Sequence, residues 1–462
     1  MSGPDRSWTV APTLLWFAGC LVVGLCVLDG GVRAVADRLT ARRPAEAAPA
    51  AGPVFTAKPA VVAEIKDDEP AKPAQIVAAD RSKILALEDL CLDGTSESCK
   101  RWAMDGFYRA VEGAKQGKLG HAVRVSWYGD SVIATDAIPG RLRTLLQTEL
   151  GDGGPGYVYV VPPHRFCGHE AITRTSGGGW TVHAISTTQI ADGLYGVGGS
   201  TAETDDGRAT IALNAGTASQ VELYYLAQPR GGTATITADG KSLATIETRN
   251  TTKQAGYAAA TVEAGAKKFE ITTAGKVRLF GLDLENASGA VVDNLGVVSV
   301  NVKSFDANNA EHFAAELAHR GADLVMIMIG ANEAEWLGPT DRDTKDYAAH
   351  YTKLLAAVRS ARPDAACLVV SPTDQAESRD GDYASRPVMP VLVTAQRTAA
   401  RAQGCAFFST YEWMGGKGSA AKWFRKGLVG SDFQHLSRKG ANRLSEAIYG
   451  VLMAGYQKYA AH

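Results

Sequence analysis

The sequence predicts an α/β protein: a three-layer fold around a parallel sheet, an antiparallel β-sandwich inserted into it, and one N-terminal transmembrane helix. Three observations predict this. Short apolar runs at 291–300, 324–329, 367–370 and 405–408 lack alternation and are separated by stretches of helical spacing, the pattern of strands buried on both faces of a parallel sheet. Between residues 181 and 286 the pattern changes to short alternating runs broken by Gly, Asn and Asp, which suits an antiparallel sandwich. Residues 10–28 carry no charge over about nineteen positions, enough for one bilayer-spanning helix.

These features divide the 462 residues into a membrane anchor (1–31), an Ala/Pro-rich linker (32–80), a first α/β part (81–165), the inserted sandwich (166–287) and a second α/β part (288–462). A cleaved signal peptide is the rival to an anchor, since Ala34-Val35-Ala36 has small residues at the required spacing. The run ending at Cys20 loosely matches a lipoprotein box, but the apolar stretch continues past it. Arg33, Arg38, Arg42 and Arg43 follow the segment and only Arg6 precedes it, which formally favours a cytoplasmic body. The linker, which cannot bury much apolar surface and reads as an extended spacer, and the chemistry below argue for an extracytoplasmic one.

Along the folded part, residues 82–118 read as helix in two pieces around a turn-rich loop between Cys91 and Cys99. Residues 123–127 alternate as a strand that stops at Gly129-Asp130-Ser131. Beyond it Ile138, Leu142, Leu145 and Leu146 recur at helical spacing, so Ser131 falls on a strand-to-helix turn. In the alternating block, Ala238-Asp239-Gly240-Lys241 reads as a hairpin turn. Residues 347–358 and 391–401 are helical, and Leu444, Ile448 and Leu452 mark a closing helix with Ser437 as N-cap.

Three places carry chemistry. A hydroxyl at a helix start is exposed and faces N–H groups that favour negative charge, so Ser131 is a candidate nucleophile. His435 lies on a loop before the last helix. Asp432, three residues earlier, can orient one ring nitrogen and leave the other to take the serine proton. Gly330-Ala331-Asn332-Glu333 ends the 324–329 strand, where open parallel sheets bind ligands, and the Asn332 amide can donate to an oxyanion. Each alone is more often a turn or surface loop.

Their set and order resemble the SGNH (GDSL-type) hydrolase superfamily. Its first block corresponds to Gly129-Asp130-Ser131, its third to Gly330-Ala331-Asn332 and its fifth to Asp432-Phe433-Gln434-His435, and the resemblance covers 123–157 and 291 to the C-terminus. It implies an SGNH/flavodoxin-like sheet, catalysis by Ser131, Asp432 and His435, and an oxyanion hole from Ser131, Ser299 and Asn332, with Gly129, Asp130 and Gly330 supporting the loops. The family's second block supplies a glycine N–H. Here Ser299 occupies that place, within Asn294-Leu295-Gly296-Val297-Val298-Ser299. The segment 142–157 and the inserted sandwich look like the peptidoglycan O-acetylesterases of this superfamily, as does Gly-Ala-Asn-Glu beside their Gly-Thr-Asn-Glu. Those relatives commonly carry His after the nucleophile, where this chain has Val132.

The resemblance implies a serine esterase that removes O-acetyl groups from an extracytoplasmic polysaccharide, peptidoglycan first, with no cofactor and no metal. Transfer of the acetyl group to a sugar hydroxyl and an inert glycan-binding fold are the alternatives. A net charge of −1 gives no basic field for nucleic acid. Cys91 with Cys99, and Cys367 with Cys405, either bridge in an oxidising compartment or stay as thiols. His164 and His169 have no second ligand cluster to complete a zinc site, and Asp205-Asp206-Gly207 reads as a solvated turn. Trp180, Tyr195, Tyr224 and Tyr225 are candidates for sugar stacking, with sandwich core packing the commoner fate.

Overall fold

A computed structural model describes residues 87–95, 97–379 and 382–461. The expected anchor and linker lie outside these residues, and among the described ones no helix is long and apolar enough to cross a membrane.

The apolar runs become the centre of a six-stranded sheet. Val123–Gly129 pairs in parallel with Ala290–Gly296 on one side and Leu324–Met328 on the other, and the sheet continues through Ala366–Val370 to Ala406–Phe408. Leu87–Glu88 closes that edge antiparallel. In chain order the five parallel strands stand 2-1-3-4-5, the flavodoxin-like arrangement, whose order reverses beside the first strand and opens a crevice at the strands' carboxyl ends. Every residue of Leu324–Met328 and Ala366–Val370 is buried, which explains the missing alternation. Trp127, Met326 and Leu368 pack to one face with the helices Asp105–Lys115, Ala137–Leu150 and Arg438–Ala460. Tyr128, Ile327 and Val369 pack to the other, with Ala310–Arg320, Lys345–Ala361 and Met389–Ala402. The result is three layers.

The segment before Asp105 departs from expectation. Cys91–Asp93 and Arg101–Trp102 form a small hairpin and Leu87–Glu88 is an edge strand, so among the described residues of this segment only the second expected helix is found, at Asp105–Lys115. Backbone pairing to the Phe407–Phe408 edge and the Cys91–Cys99 bridge override the local apolar spacing. The second parallel strand also stops at Gly296, because residues Val297 to Val300 turn.

The alternating block forms a sandwich of two antiparallel sheets. One orders Gln254–Thr261, Gln220–Ala227, Val277–Glu285, Ser200–Thr204 and Thr181–Ala184; the other orders Lys241–Glu247, Thr233–Ala238, Lys268–Ala274, Arg208–Leu213 and Ile172–Gly177. The Asp239-Gly240 turn forms as expected, both residues at positive φ. Gly156–Val158 joins the first sheet by pairing with Val277–Glu285, ahead of the boundary expected at 166; three residues are too few to show a period. Tyr195 and Tyr224 are buried, so neither is a surface for sugars.

Sandwich and sheet are joined by a buried ion cluster. Arg320 is fully buried and donates to both Asp293 oxygens at 2.8 Å, to Glu285 at 2.6 Å and to Asp283 at 3.1 Å. Arg124 on the first strand forks onto the same Glu285. Asp283 and Glu285 lie on a sandwich strand, Asp293 on the parallel sheet and Arg320 at the end of a covering helix. Cys91 bridges Cys99, and Cys367 bridges Cys405.

Candidate active site

The crevice is assembled from the loops that leave the first three parallel strands. After Val123–Gly129 the chain enters a four-residue helix, Ser131–Ala134, capped by Asp130, whose side chain accepts from the Val132 N–H at 3.0 Å. Gly129 is required for this sharp entry. A Cβ there would stand 2.3 Å from Ile133 Cγ1 and 3.1 Å from the Met328 carbonyl. Asp130 is buried and also accepts from the Ala331 N–H, so it ties the serine turn to the next loop; burial pushes its carboxyl up to about 6 against the pull of those two N–H groups.

Ser131 Oγ lies 2.7 Å from His435 Nε2, and His435 Nδ1 lies 2.7 Å from Asp432 Oδ2. The other Asp432 oxygen accepts from the N–H groups of Gln434 and His435, each at 3.0 Å. Partial burial opposes ionisation of Asp432, but the Gln434 N–H and the His435 ring and N–H outweigh it and hold the carboxylate below its usual range. The loop achieves this curl with Phe433 at φ +55°. A carboxylate that fixes one imidazole nitrogen leaves the other to accept the serine proton, so this arrangement can generate an alkoxide nucleophile.

The third strand delivers Gly330 and Asn332. Gly330 has φ +138°, and a Cβ on it would approach Tyr347 Oη to 2.9 Å and Gln396 Nε2 to 3.0 Å. Asn332 is half-buried; its Nδ2 donates to the Val300 carbonyl at 2.7 Å, leaving a second amide hydrogen for an acceptor in the crevice. Gln375 Nε2 holds the Ala331 carbonyl at 2.9 Å.

Ser299 stands at φ +62° and is the third residue of a turn closed by the Val300 N–H on the Val297 carbonyl, at 3.2 Å. This is a position that favours glycine, and serine occupies it. The turn is tied to its neighbours by Ser186 Oγ on the Val298 carbonyl at 2.9 Å and by Asn332 on Val300.

Sequence reasoning passed over Glu333 as more than a motif letter. Its Oε1 accepts from the Val302 N–H at 2.7 Å, and burial pushes its carboxyl up to about 8. Asn332 and Glu333 thus fasten the loop after the third strand to the loop after the second. A polar residue next to an apolar strand was the only signal, and it does not distinguish a buried acid from an exposed one. Val132 is buried under the serine turn. Among the described residues no group of His, Cys, Asp or Glu could hold a metal, and His169 is buried beside Asp136 and Arg143.

Comparison with known proteins gives a family likeness for part of the chain and a fold likeness for most of it. The model of the GDSL-like Lipase/Acylhydrolase family matches residues 254–443. A solved peptidoglycan O-acetylesterase aligns over 76% of this chain and 96% of its own, at 23% identity and a TM-score of 0.66. The match over residues 254–443 is thus to a GDSL-type hydrolase family, and the fold as a whole resembles that of a peptidoglycan O-acetylesterase. More distant are a family two carbohydrate esterase from Clostridium thermocellum (9% identity, 60% of this chain and 100% of that one, TM-score 0.27) and an acetylxylan esterase from Geobacillus stearothermophilus (20% identity, 35% and 73%, TM-score 0.26), likenesses too weak to argue from. No curated protein matches the sequence.

Proposed function

We propose that the protein is a serine esterase that removes O-acetyl groups from an extracytoplasmic polysaccharide, peptidoglycan first among the candidates. The observation that carries the reading is the 2.7 Å contact from Ser131 to a His435 that is itself held at 2.7 Å by Asp432. Ser131 Oγ attacks the acetyl carbonyl while His435 Nε2 takes its proton, and the sugar oxygen leaves with that proton. Water then attacks the acyl-enzyme with His435 again as base, releasing acetate. The backbone N–H of Ser131, the free amide hydrogen of Asn332 and the N–H of Ser299 receive the oxyanion; a donor of this kind is worth about 10²–10³ in kcat. Asp130, Gly129 and Gly330 shape the loops and do not touch the ester.

The location is part of the proposal. Residues 10–28 tether the enzyme and 32–80 hold it away from the bilayer, with the body outside the cytoplasm. The two disulfides support that side, since such bridges persist in oxidising compartments. The peptidoglycan assignment rests on the likeness to the solved O-acetylesterase and on the inserted sandwich.

The test is labelling by a serine-reactive fluorophosphonate, followed by acetate release from O-acetylated peptidoglycan and from acetylated xylan. Ser131→Ala should abolish the label and lower acetate release by about 10⁴-fold or more. Wild-type acetate release by that variant would overturn the reading. Faster turnover of xylan than of peptidoglycan would leave the esterase standing and remove the substrate.

A further inference from the structure

Four large apolar side chains are exposed among the described residues: Phe166, Trp336, Tyr383 and Phe424, at 55%, 58%, 48% and 38%. Scattered single exposures are ordinary on a soluble surface. These are not scattered, because each lies on a segment that touches one of the loops carrying Ser131, Ser299, Asn332 or His435.

Phe166 precedes Cys167, whose sulfur accepts from the Val298 N–H of the Ser299 turn. The following Gly168 N–H is bonded to the carbonyl of Ala134, the last residue of the serine helix, at 2.8 Å. Trp336 follows Asn332 on the same loop, its N–H on the Glu333 carbonyl at 3.2 Å. Tyr383 lies on the hairpin strand Asp382–Ser385, beyond the fourth parallel strand, and Phe424 on the helix Ser419–Arg425. Both rest on Phe433, between Asp432 and His435: ring centroids are 4.5 Å apart for Tyr383 and 4.9 Å for Phe424. The four rings therefore follow the strand order, with Phe166 on the Ser299 side, Trp336 beside Asn332, and Tyr383 with Phe424 on the His435 side. Four adjacent strands at about 4.8 Å spacing span about 14 Å, longer than one sugar ring. The alternating apolar faces and polar edges of pyranoses are the chemistry that fits a row of exposed aromatic rings at a hydrolytic centre.

We propose that Phe166, Trp336, Tyr383 and Phe424 line a groove in which a polysaccharide lies across the catalytic centre, with sugars stacked on both sides of the acetylated one. The inference rests on the esterase reading and narrows it. The enzyme takes internal residues of a polymer, and the rings contribute to substrate length and not to the acyl chemistry.

Two readouts separate this from the reading it rests on. In the first, kcat/KM is measured on O-acetylated peptidoglycan strands and on 4-nitrophenyl acetate, and their ratio is compared between wild type, Trp336→Ala and Tyr383→Ala/Phe424→Ala. The ratio should fall by about ten-fold in each variant, mainly through KM, the loss expected for one or two ring contacts. In the second, full-length Ser131→Ala protein is sedimented with the same strands, with and without Trp336→Ala and Tyr383→Ala/Phe424→Ala. The strands should carry down the first protein and release the variants. Ratios within about two-fold of wild type for both variants, with unchanged co-sedimentation, would overturn the groove. Loss of acetate release in the wild type with ring-dependent co-sedimentation intact would remove the esterase and keep the groove. The ratio cancels any fraction of misfolded enzyme, and the two variants lie on different segments of the chain.

Discussion

Ser299 is a serine held at φ +62°, where a Cβ costs about 1–2 kcal/mol relative to glycine. In the proposed oxyanion hole the position supplies a turn and a backbone N–H, and neither needs the side chain. Ser299→Gly should keep acetate release within about two-fold of wild type and raise stability by up to about 1 kcal/mol, since glycine's gain in the fold is offset in part by its freer unfolded chain. A thermal melt with a parallel rate measurement checks both, and a large loss of rate would show that the hydroxyl itself is used. Glu333 makes a pH-dependent prediction. A carboxyl raised from 4.5 to about 8 favours the folded state while neutral. That contribution is complete below about pH 4.5 and is lost as the pH climbs to about 8. Glu333→Gln keeps an acceptor for the Val302 N–H and does not ionise. Its melting temperature should therefore gain on the wild type steadily from pH 5 to pH 8; parallel curves would refute the buried acid.

Among elements, the strand Ala366–Val370 and the residue opening Ala406–Phe408 are joined by the Cys367–Cys405 bridge, which closes a loop with a sequence separation of 38. Both cysteines are buried, in the core that the helices Lys345–Ala361 and Met389–Ala402 form against the sheet. Cys367→Ser/Cys405→Ser should lower the unfolding free energy by about 2–4 kcal/mol in urea titration, and reductant should have no further effect on the double variant. The same scale shows where local signals misled. The stretch ahead of Asp105 has the composition of a helix, yet its residues complete a sheet edge and a disulfide hairpin. Asp105–Lys115, with Phe107, Tyr108 and Val111 on one buried face, formed as its spacing required.

For the molecule as a whole, the insertion is part of the body that holds the site. The Arg320 cluster draws carboxylates from the sandwich and from the parallel sheet onto one guanidinium. Ser186, ahead of the sandwich's Ser200–Thr204 strand, holds the Val298 carbonyl of the Ser299 turn. Arg320→Met would strand a fully buried Asp293 and should cost about 3–5 kcal/mol, read as a lower urea midpoint. Unchanged stability would mean that the two parts are held together by apolar packing alone.

The order of the residues by itself determined that the chain builds a parallel sheet with an antiparallel block set into it, and it singled out Ser131, Asn332, Asp432 and His435 as candidates. Short apolar runs without period, set between helical stretches, are the pattern of strands covered on both faces, and Asp432 and His435 are neighbours in the chain before they are neighbours in space. Tertiary structure decided the rest. Ser131 meets His435 across 304 residues, a contact set by the strand order. The bond from Asn332 to Val300, the buried acid at Glu333 and the contact of Tyr383 and Phe424 with Phe433 each depend on how separate segments pack together. A periodicity reports which way a side chain faces along its own element; what it faces is settled only when the elements are packed.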